Sequence, residues 1–527
     1  MTVKQQIAEI IKEAVGEIPP QHEIEFLNKP ELGDYASNIA FLLSRKENKA
    51  PIEIAQNLKP KLTDCSIFKK VEVASPGFIN FTLSREYLLK TLINASAEDY
   101  GKINLGNGIR VLVEYISANP TGPLNVVQAR AGAFGNALVN LLKFVNYDVN
   151  SEYYINDKGT QIEVLYNSLL ARLNTIKGIP TPIPENGYPG EYLLDIAQKI
   201  LKNNIPEEYW RSFLLQEIIT WQKNSLLRMG INFDNFVRES SYHPLHSLIL
   251  EKLKPYTYYH DGALWFKSQE FGDTEDRVLI TANARPTYFL TDIAYHYDKF
   301  NRGYELLINI WGPDHHGYIP RMKGALKALG FDPNHLIIII AQQVSLLRNR
   351  EKISMSKRAG EYITLDEVLS EIGPDALKFF LLMRRASQHL EFDLALAQKT
   401  SEENPVYYVQ YAYTRINSIL RNAQEKSFPS NQNPDLELLT SSYEESLIKL
   451  ILHFPDVILE SAKHFEPHHL VYYLLTLANT FHKYYENVRV LDENPTLAGA
   501  RLYLCQIISR VIKTALTILG VSAPERM

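Results

Sequence analysis

Hydrophobic residues follow two different spacings along this chain, and the two spacings predict its strands and helices. Short apolar runs rich in β-branched residues predict buried parallel strands at 111–116, 151–155, 305–310 and 336–341. Helical spacing follows the first run, over residues 129–145. Strands that alternate with helices predict a doubly wound, Rossmann-type parallel sheet over residues 107–365. The segment of about 160–275 has a largely helical pattern, and we expect it to be an insertion in this domain.

The two ends of the chain have other patterns. Residues 1–106 predict a separate α/β domain with helices at 3–15 and 51–62, a turn at 33–41 that leads into another helix, and a β-hairpin of 71–74 with 78–83. From residue 366 onward no strand pattern remains. Helical spacing predicts an α-helical bundle over 366–527, with helices at 366–386, 405–422, 440–464, 468–488 and 497–519.

Composition narrows the class of protein. The net charge of −5 gives no overall basic signal for nucleic acid, although a local patch is sufficient to bind it. Cys65 and Cys505 are far apart and have no zinc-ligand spacing, so we expect neither a zinc site nor a disulfide framework. No run approaches the roughly 20 apolar residues of a membrane span, and the N-terminus does not resemble a signal peptide. We therefore expect a cytoplasmic protein without membrane contact, and a monomer because no long heptad seam is present.

Two polar stretches suggest a nucleotide site. The first, Ser117 to Gly132, joins a predicted strand to a helix through a Pro/Gly turn, which is an arrangement that offers backbone N–H groups to phosphate. The second, Lys352 to Gly360, follows the strand at 336–341 and carries Lys357 and Arg358, which can place positive charge over a triphosphate. Either stretch alone has an ordinary structural explanation, as a packing turn or as a solvated pair of charges.

Together the two stretches resemble the paired ATP signatures of class I aminoacyl-tRNA synthetases, and in detail those of the arginyl-tRNA synthetases. Gly33-Asp-Tyr-Ala and Pro76-Gly-Phe-Ile-Asn-Phe resemble the N-terminal domain of that family, which implies contact with the corner of tRNA. Gly373-Pro-Asp-Ala-Leu-Lys and the segment 403–415 resemble its anticodon-binding bundle. The resemblance implies tRNA(Arg), L-arginine and ATP with Mg²⁺ as partners and substrates.

Both signatures depart from the usual pattern of the class. Asn125-Val-Val-Gln128 stands where His-x-Gly-His is usual, and Ser354 replaces the first lysine of Lys-Met-Ser-Lys-Ser. Asn and Gln still donate hydrogen bonds but carry no charge. The resemblance implies that ATP is bound by Pro123, Asn125, Gln128, Ser354, Met355, Ser356 and Lys357. It implies a catalytic role for Lys357, Asn125 and Gln128.

Candidate ligands for an arginine substrate come from separate parts of the chain. Glu114 lies in an otherwise apolar strand, where its alternative explanation is an ion pair with a core arginine. Tyr288 and Asp292 are four residues apart, so a helix places a hydroxyl and a carboxylate on one face for a guanidinium group. The resemblance implies that Glu114, Asn119, Tyr288 and Asp292 contact arginine.

The turn Trp311-Gly-Pro-Asp-His-His-Gly317 directly follows the strand at 305–310. The resemblance places it at the adenosine and amino-acid side of the pocket, with Gly312, His315 and His316 toward ATP and Asp314 toward arginine. Adjacent histidines point different ways and no third ligand is evident, so a metal site is disfavoured.

Tyrosines are dense at the start of the predicted bundle. Tyr407, Tyr408, Tyr411 and Arg415 are the candidates for contact with unpaired RNA bases, on which aromatic side chains commonly stack. Because these tyrosines and Tyr413 do not share one helix face, we expect some of them to be core residues.

The activity implied by the resemblance is ATP-dependent ligation of arginine to tRNA(Arg) through an arginyl-adenylate. Two alternatives stay open at this point. One is a catalytically silent, synthetase-like protein that binds tRNA. The other is a small-molecule adenylate-forming ligase, which would need neither the first domain nor the bundle.

Overall fold

The N-terminal part of the computed structural model is an α/β unit, and the structure as a whole describes residues 1–27, 29–353, 363–428 and 434–527. The helices of this unit are α1 (Val3–Val15), α2 (Ile39–Glu47), α3 (Pro51–Thr63) and α4 (Arg85–Asn94). Its strands are β1 (Ile24–Phe26), β2 (Tyr35–Ser37), β3 (Phe68–Ala74) and β4 (Phe78–Leu83), in the antiparallel order β1-β2-β4-β3. The predicted hairpin is confirmed. β1 and β2 escaped prediction because three residues are too few to show an alternation.

A five-stranded parallel sheet forms the middle of the molecule, as the strand pattern predicted. It contains β5 (Arg110–Glu114), β6 (Asp148–Ile155), β7 (Asn235–Arg238), β11 (Leu306–Trp311) and β12 (Leu336–Ile340). The order is β12-β11-β5-β6-β7, and every neighbouring pair is parallel. Helix α5 (Val126–Phe144) follows β5, with its small residues Ala129, Gly132 and Ala133 buried. This architecture is the predicted doubly wound sheet.

The segment after β6 is less helical than its pattern predicted. Its helices are α6 (Thr160–Ile176), α7 (Tyr192–Lys202), α8 (Trp210–Arg228) and α9 (His246–Leu253). However, β7 belongs to the central sheet, and β8 (Thr257–His260), β9 (Ala263–Phe266) and β10 (Arg277–Ile280) form an antiparallel sheet. The expectation of a largely helical stretch up to about 275 is therefore wrong for its second half. Asp261-Gly262, both with positive φ, make the tight turn of β8 and β9, and this dipeptide is a hairpin signal that the sequence displays.

Helix α10 (Tyr288–Asn301) leads into β11, and α11 (Ile319–Ala328) leads into β12. Beyond them lies a small sheet of β13 (Val344–Arg348), β14 (Glu351–Lys352) and β15 (Leu390–Asp393), in the order β14-β13-β15. β15 contradicts the expectation that no strand follows residue 366. Its four residues pair in parallel with β13, across the predicted boundary between sheet domain and bundle.

The bundle is formed as predicted. Helix α12 (Leu365–Leu381) is kinked at Gly373, which has a φ of 77° and directly precedes Pro374. The remaining helices are α13 (Leu394–Ala397), α14 (Pro405–Glu425), α15 (Ser442–His464), α16 (His468–Asn487) and α17 (Pro495–Ile518). Asn404 and Asn494 cap helices that begin with proline. Proline suits this first position because the N–H group that it lacks would have no hydrogen-bond partner within the helix. Among the helices of the described ranges, none is long and apolar enough to cross a membrane.

Polar contacts attach the N-terminal unit to the bundle. The hydroxyl of Tyr35 donates to Asp456 Oδ2 at 3.0 Å, and Lys449 Nζ lies 2.7 Å from Asp34 Oδ1. Asp456 has no exposed surface, and Asp34 is only 3% exposed. Helix α15 thus supplies the buried polar contacts that hold the two regions with predicted tRNA contacts against each other.

Candidate active site

Three neighbouring strands of the central sheet carry a polar side chain in their carboxyl-terminal halves. Asn309, Glu114 and Glu152 lie side by side in register on β11, β5 and β6. All three are buried, at an edge of the sheet where apolar residues would otherwise continue the core. In doubly wound folds the carboxyl ends of the strands are where ligands bind. The strand order therefore creates a buried acidic row at the expected place.

Helix α10 supplies two cations to this row. Lys299 Nζ lies 2.5 Å from Glu114 Oε2 and 3.2 Å from Asn309 Oδ1, and Arg302 contacts Glu152 through both terminal nitrogens at 2.6 and 2.8 Å. The alternative explanation for Glu114, an ion pair within the core, is therefore correct in kind, with a lysine in place of the expected arginine. The second oxygen of Glu114 accepts from Ser117 Oγ at 2.9 Å.

A cavity of about 390 Å³ opens above these strand ends. Four of the five predicted arginine ligands line it together: Glu114, Asn119, Tyr288 and Asp292. Asp314, the fifth, is not among the lining residues. Of the predicted ATP ligands, Gly312 and His315 line the cavity, whereas Pro123, Asn125, Gln128 and His316 do not. The structure thus brings the arginine candidates to one place and leaves most of the nucleotide candidates around it.

Asp292 has unusual surroundings for a carboxylate. The hydroxyl of Tyr318 donates to its Oδ2 at 2.6 Å, and it has no ion-pair partner among the described residues. Burial raises the pKa of Asp292 to about 7, with the nearby charges of Glu114 and Glu239 adding to the rise and the Tyr318 hydrogen bond opposing it. A half-buried carboxylate that lines a cavity and has no ion-pair partner is a binding position for a cation.

Glu239, which the sequence did not reveal, is a buried acid whose charge acts on Asp292, although it is not among the residues that line the cavity. It is 3% exposed, and within the described ranges its Oε2 has no hydrogen-bond partner. Burial, together with the charge of Asp157, raises the pKa of Glu239 to about 7. In the sequence it lies in Arg-Glu-Ser-Ser, which is typical of a solvated turn, and no local signal separates it from such a turn.

A neutral histidine connects the two halves of the cavity. His296 Nδ1 lies 2.8 Å from the backbone oxygen of Asp292, and its Nε2 lies 2.8 Å from Asn309 Nδ2. Because the carbonyl only accepts, Nδ1 carries the proton and Nε2 accepts from the amide. Burial and the charge of Lys299 lower the pKa of His296 well below its usual value, which agrees with this tautomer.

Tyr288 stands at the mouth of the cavity and is 56% exposed. It begins α10 one turn before Asp292, as the predicted helix required. A Cβ atom at Gly159 would lie 1.8 Å from the Tyr288 hydroxyl, so this close approach and the φ of 90° at position 159 both require glycine. Asn119 lies nearby, where it accepts from Asn156 Nδ2 and donates to Gln161 Oε1, each at 2.7 Å.

Asn125 and Gln128 form a reciprocal cap at the start of α5. Asn125 Oδ1 accepts the N–H groups of Val127 and Gln128, and Gln128 Oε1 accepts the N–H of Asn125 at 2.9 Å. Three of the N–H groups predicted to be unpaired at this turn are therefore already used. Toward phosphate, the two side chains have only their amide N–H groups to offer.

The structure describes only the residues on either side of the second signature, up to residue 353 and from residue 363. Ser354, Met355, Ser356 and Lys357 lie outside the described residues. On the far side, Thr364 forms an isolated β-bridge with Asn125, and Leu365 N donates to Leu124 O at 2.7 Å. The beginning of α12 therefore lies against the first signature turn.

The aromatic segment on α14 divides as expected into core and surface. Tyr413 is 3% exposed, whereas Tyr407, Tyr408, Tyr411 and Arg415 are half-buried. The Arg415 guanidinium lies 4.5 Å from the ring centres of both Tyr411 and Tyr485. Together Tyr407, Tyr408, Tyr411, Arg415 and Tyr485 form an aromatic surface, and it carries a positive charge.

One group of side chains in the described ranges has atoms close enough to hold a metal ion. Glu466, His468 and His469 offer ligand atoms within 4.8 Å of one another, at the start of α16 and outside the cavity. Glu466 is already used by His469 at 3.0 Å and by Arg385 at 3.5 Å. A helix start also disfavours a cation.

Comparison with known proteins agrees with this description. The family model "Arginyl tRNA synthetase N terminal domain" matches residues 1–83, and "DALR anticodon binding domain" matches residues 409–527. The fold is shared with solved synthetases of two specificities. One is the arginyl-tRNA synthetase of Thermus thermophilus (TM-score 0.81, 23% identity, all of both chains) and the other is the methionyl-tRNA synthetase of Mycobacterium tuberculosis (TM-score 0.56, 12% identity, 78% of this chain and 91% of that chain). At these identities the likeness shows that the fold is shared.

Two curated relatives decide the family. The arginine–tRNA ligase of Syntrophotalea carbinolica is 41% identical over all of both chains, and that of Thermotoga maritima is 42% identical over 100% of this chain and 99% of its own. The chain belongs to the arginine–tRNA ligase family.

Proposed function

We propose that this protein ligates L-arginine to tRNA(Arg) at the expense of ATP, through an arginyl-adenylate. The observation that carries the proposal is a pair of acids, the half-buried Asp292 and the buried Glu239, which have no ion-pair partner among the described residues. A guanidinium group is planar, permanently charged and able to donate to two carboxylates at once, so arginine satisfies both. The family membership supports the same substrate.

We assign the cavity to arginine and its outer edge to ATP. Asp292 and Glu239 neutralise the guanidinium, and Tyr288, Asn119 and Glu114 orient the rest of the substrate. Gly312 has no atom nearer than 4.0 Å to its absent Cβ, which leaves room for a flat base or a ribose, and His315 lies beside it. Asp314 and His316 stay predicted ligands on the same turn.

The reaction has two steps. The arginine carboxylate attacks the α-phosphate of ATP, forming a new P–O bond and releasing pyrophosphate. The 3′-terminal hydroxyl of the tRNA then attacks the acyl carbon, and AMP leaves. Pro123, Asn125, Gln128, Ser354, Met355 and Ser356 are proposed to hold the nucleotide, with Lys357 stabilising negative charge on the phosphates.

We assign Mg²⁺ to the triphosphate, because the Glu466 group lies outside the cavity and its carboxylate is already bound. The aromatic surface on α14 is proposed to stack on anticodon bases, and residues 1–106 to contact the corner of the tRNA. We further propose a monomer in the cytoplasm, without zinc or membrane contact, with domain boundaries near residues 106 and 365.

The decisive experiment is pyrophosphate exchange into ATP with each amino acid, with and without tRNA. We expect exchange with arginine when tRNA is present and a strong loss in Lys357→Ala. Exchange with a different amino acid would overturn the assignment of the cavity. Tight tRNA binding with no exchange under any condition would instead establish the catalytically silent alternative.

A further inference from the structure

The turn between β5 and α5 is held in place by hydrogen bonds from side chains to its backbone carbonyl oxygens. Four of the five residues from 118 to 122 direct a backbone oxygen to a side-chain donor. The bonds are Tyr153 OH to Ala118 O at 3.3 Å, Gln222 Nε2 to Asn119 O at 3.1 Å and to Gly122 O at 2.8 Å, and Tyr192 OH to Thr121 O at 2.6 Å. The turn that carries Asn119 and leads to Asn125 is therefore fixed from outside.

Gln222 is the centre of this arrangement. It lies on α8 and is 3% exposed, and its Oε1 lies 3.1 Å from Tyr153 OH, whose single hydrogen is shared between this oxygen and Ala118 O. Its one amide group thus bridges two carbonyls of the turn and a hydroxyl of the sheet. Such a fully satisfied buried amide is costly to leave without its partners and has little freedom to move.

The same helix also reaches the other side of the turn. Trp221 Nε1 and Ser225 Oγ donate to Asp366 Oδ2 at 2.7 and 2.8 Å, in the first turn of α12. The backbone before Asp366 contacts residues 124 and 125, as described above. Helix α8 is therefore connected to both ends of the turn, directly and through α12.

The direction of the carbonyls matters for the ligand. A carbonyl oxygen carries partial negative charge and repels phosphate, whereas the N–H groups and amide groups of such a turn attract it. Donors on the oxygens offset that charge and fix the orientation of the peptide planes. Charge stabilisation of a triphosphate depends on such a fixed arrangement of dipoles.

We propose that Gln222 and Tyr192 are positioning residues for ATP and arginine, since they hold the carbonyls of Asn119, Thr121 and Gly122 and so orient the turn toward the nucleotide. This inference rests on the proposed function. It also assigns the inserted segment between β6 and β7 a part in building the nucleotide site.

The test is calorimetric titration of the purified full chain with Mg-ATP, followed by pyrophosphate exchange with arginine and tRNA. Gln222→Met keeps the side-chain volume but loses both donors, and we expect ATP Kd and the KM values for ATP and arginine to rise about tenfold. Tyr192→Phe loses one donor, and a rise of about threefold is expected. The exchange rate at saturation and the Kd for tRNA stay within about twofold in both variants, which a general loss of structure would not leave unchanged.

The matched control is Gln216→Met on the same helix. Gln216 is exposed and bonds only within α8, to Thr220 Oγ1 at 3.1 Å, so its loss leaves ATP binding unchanged. ATP Kd and KM values within twofold of the wild type in both Gln222→Met and Tyr192→Phe would overturn the proposal. A change confined to tRNA affinity would overturn it as well.

Two further outcomes are separable. If Gln222→Met is misfolded by circular dichroism, Tyr192→Phe decides alone. If the wild type binds Mg-ATP but exchanges with no amino acid, the proposed function fails and the positioning role is judged on ATP Kd. Failure of the wild type to bind Mg-ATP overturns both.

Discussion

Glu114 and Asp292 are two carboxylates of the same cavity, but only Glu114 has an ion-pair partner among the described residues. Glu114 has its charge balanced by Lys299 at 2.5 Å and its other oxygen bonded to Ser117. Asp292 has a hydroxyl donor, Tyr318, and no cation, and it lies near Glu239, a second acid without one. Burying a charge without a partner costs several kcal/mol, on the order of a whole ion pair's contribution. The comparison indicates that the fold itself balances the charge of Glu114, whereas the charge of Asp292 is left for the cation of the ligand.

The most direct test of this difference is to neutralise Asp292. In Asp292→Asn the guanidinium loses its charged acceptor, and we expect kcat/KM for arginine to fall by about 100-fold or more. Arginine-dependent exchange measures the change. Asp298→Asn is the matched control, because Asp298 lies on the same helix and bonds Arg302 at 2.9 Å. A loss below threefold in Asp292→Asn would show that the cavity binds its substrate in another way.

Removing Lys299 tests the other carboxylate. Lys299→Met leaves Glu114 charged and buried, so the apparent free energy of unfolding should fall by about 3 kcal/mol. The double variant with Glu114→Gln should regain most of that loss, because both charges are then absent. Urea unfolding followed by circular dichroism measures both, with Lys327→Met at an exposed position as the control. A double variant no more stable than the single one contradicts the assignment.

Glu239→Gln tests the second acid without a cation while leaving Asp292 unchanged. The neutral amide keeps the volume and loses one of two charged acceptors, so KM for arginine should rise about 20-fold with little change in stability. Exchange kinetics and thermal unfolding are the two measurements. Were stability to fall while KM stayed constant, Glu239 would be a structural residue, like Glu114.

The smallest expected effect is the dependence of KM for arginine on pH. A pKa of about 7 means that Asp292 is largely protonated at pH 6 and largely ionised at pH 8. Only the ionised form attracts guanidinium, so arginine binding strengthens as pH rises through 7, by about tenfold in KM between pH 6 and 8. In Asp292→Asn the slope should fall to the part contributed by Glu239, whose pKa is also raised to about 7. A slope of the opposite sign would exclude Asp292 as the titrating group.

Local patterns predicted most of the architecture. Four strands of the central sheet, the long helix after β5 and five helices of the bundle follow from spacing alone, because each long element buries one continuous face. The strands that were missed have two to five residues each, and they are β1, β2, β7, β8, β9, β10, β13, β14 and β15. Elements this short are stabilised by their neighbours, and their own sequence carries little signal.

The site was predictable where its residues lie within one element or at its end. Tyr288 and Asp292 share a helix face, and Glu114 ends a strand, so these positions follow from periodicity and from the rule for strand ends. The cap formed by Asn125 and Gln128 was not expected, although the spacing of a capping box is visible in the sequence.

By itself, therefore, the sequence determined the order of the domains, the family and the main arginine candidates, since these depend on local spacing and on motifs. Only the tertiary structure decided which acids are neutralised and which await a cation. Lys299 is 185 residues from Glu114, and Glu239 is 53 residues from Asp292. Charge balance in a buried site depends on distances of a few ångströms, and chain folding sets those distances across separations that no local pattern records.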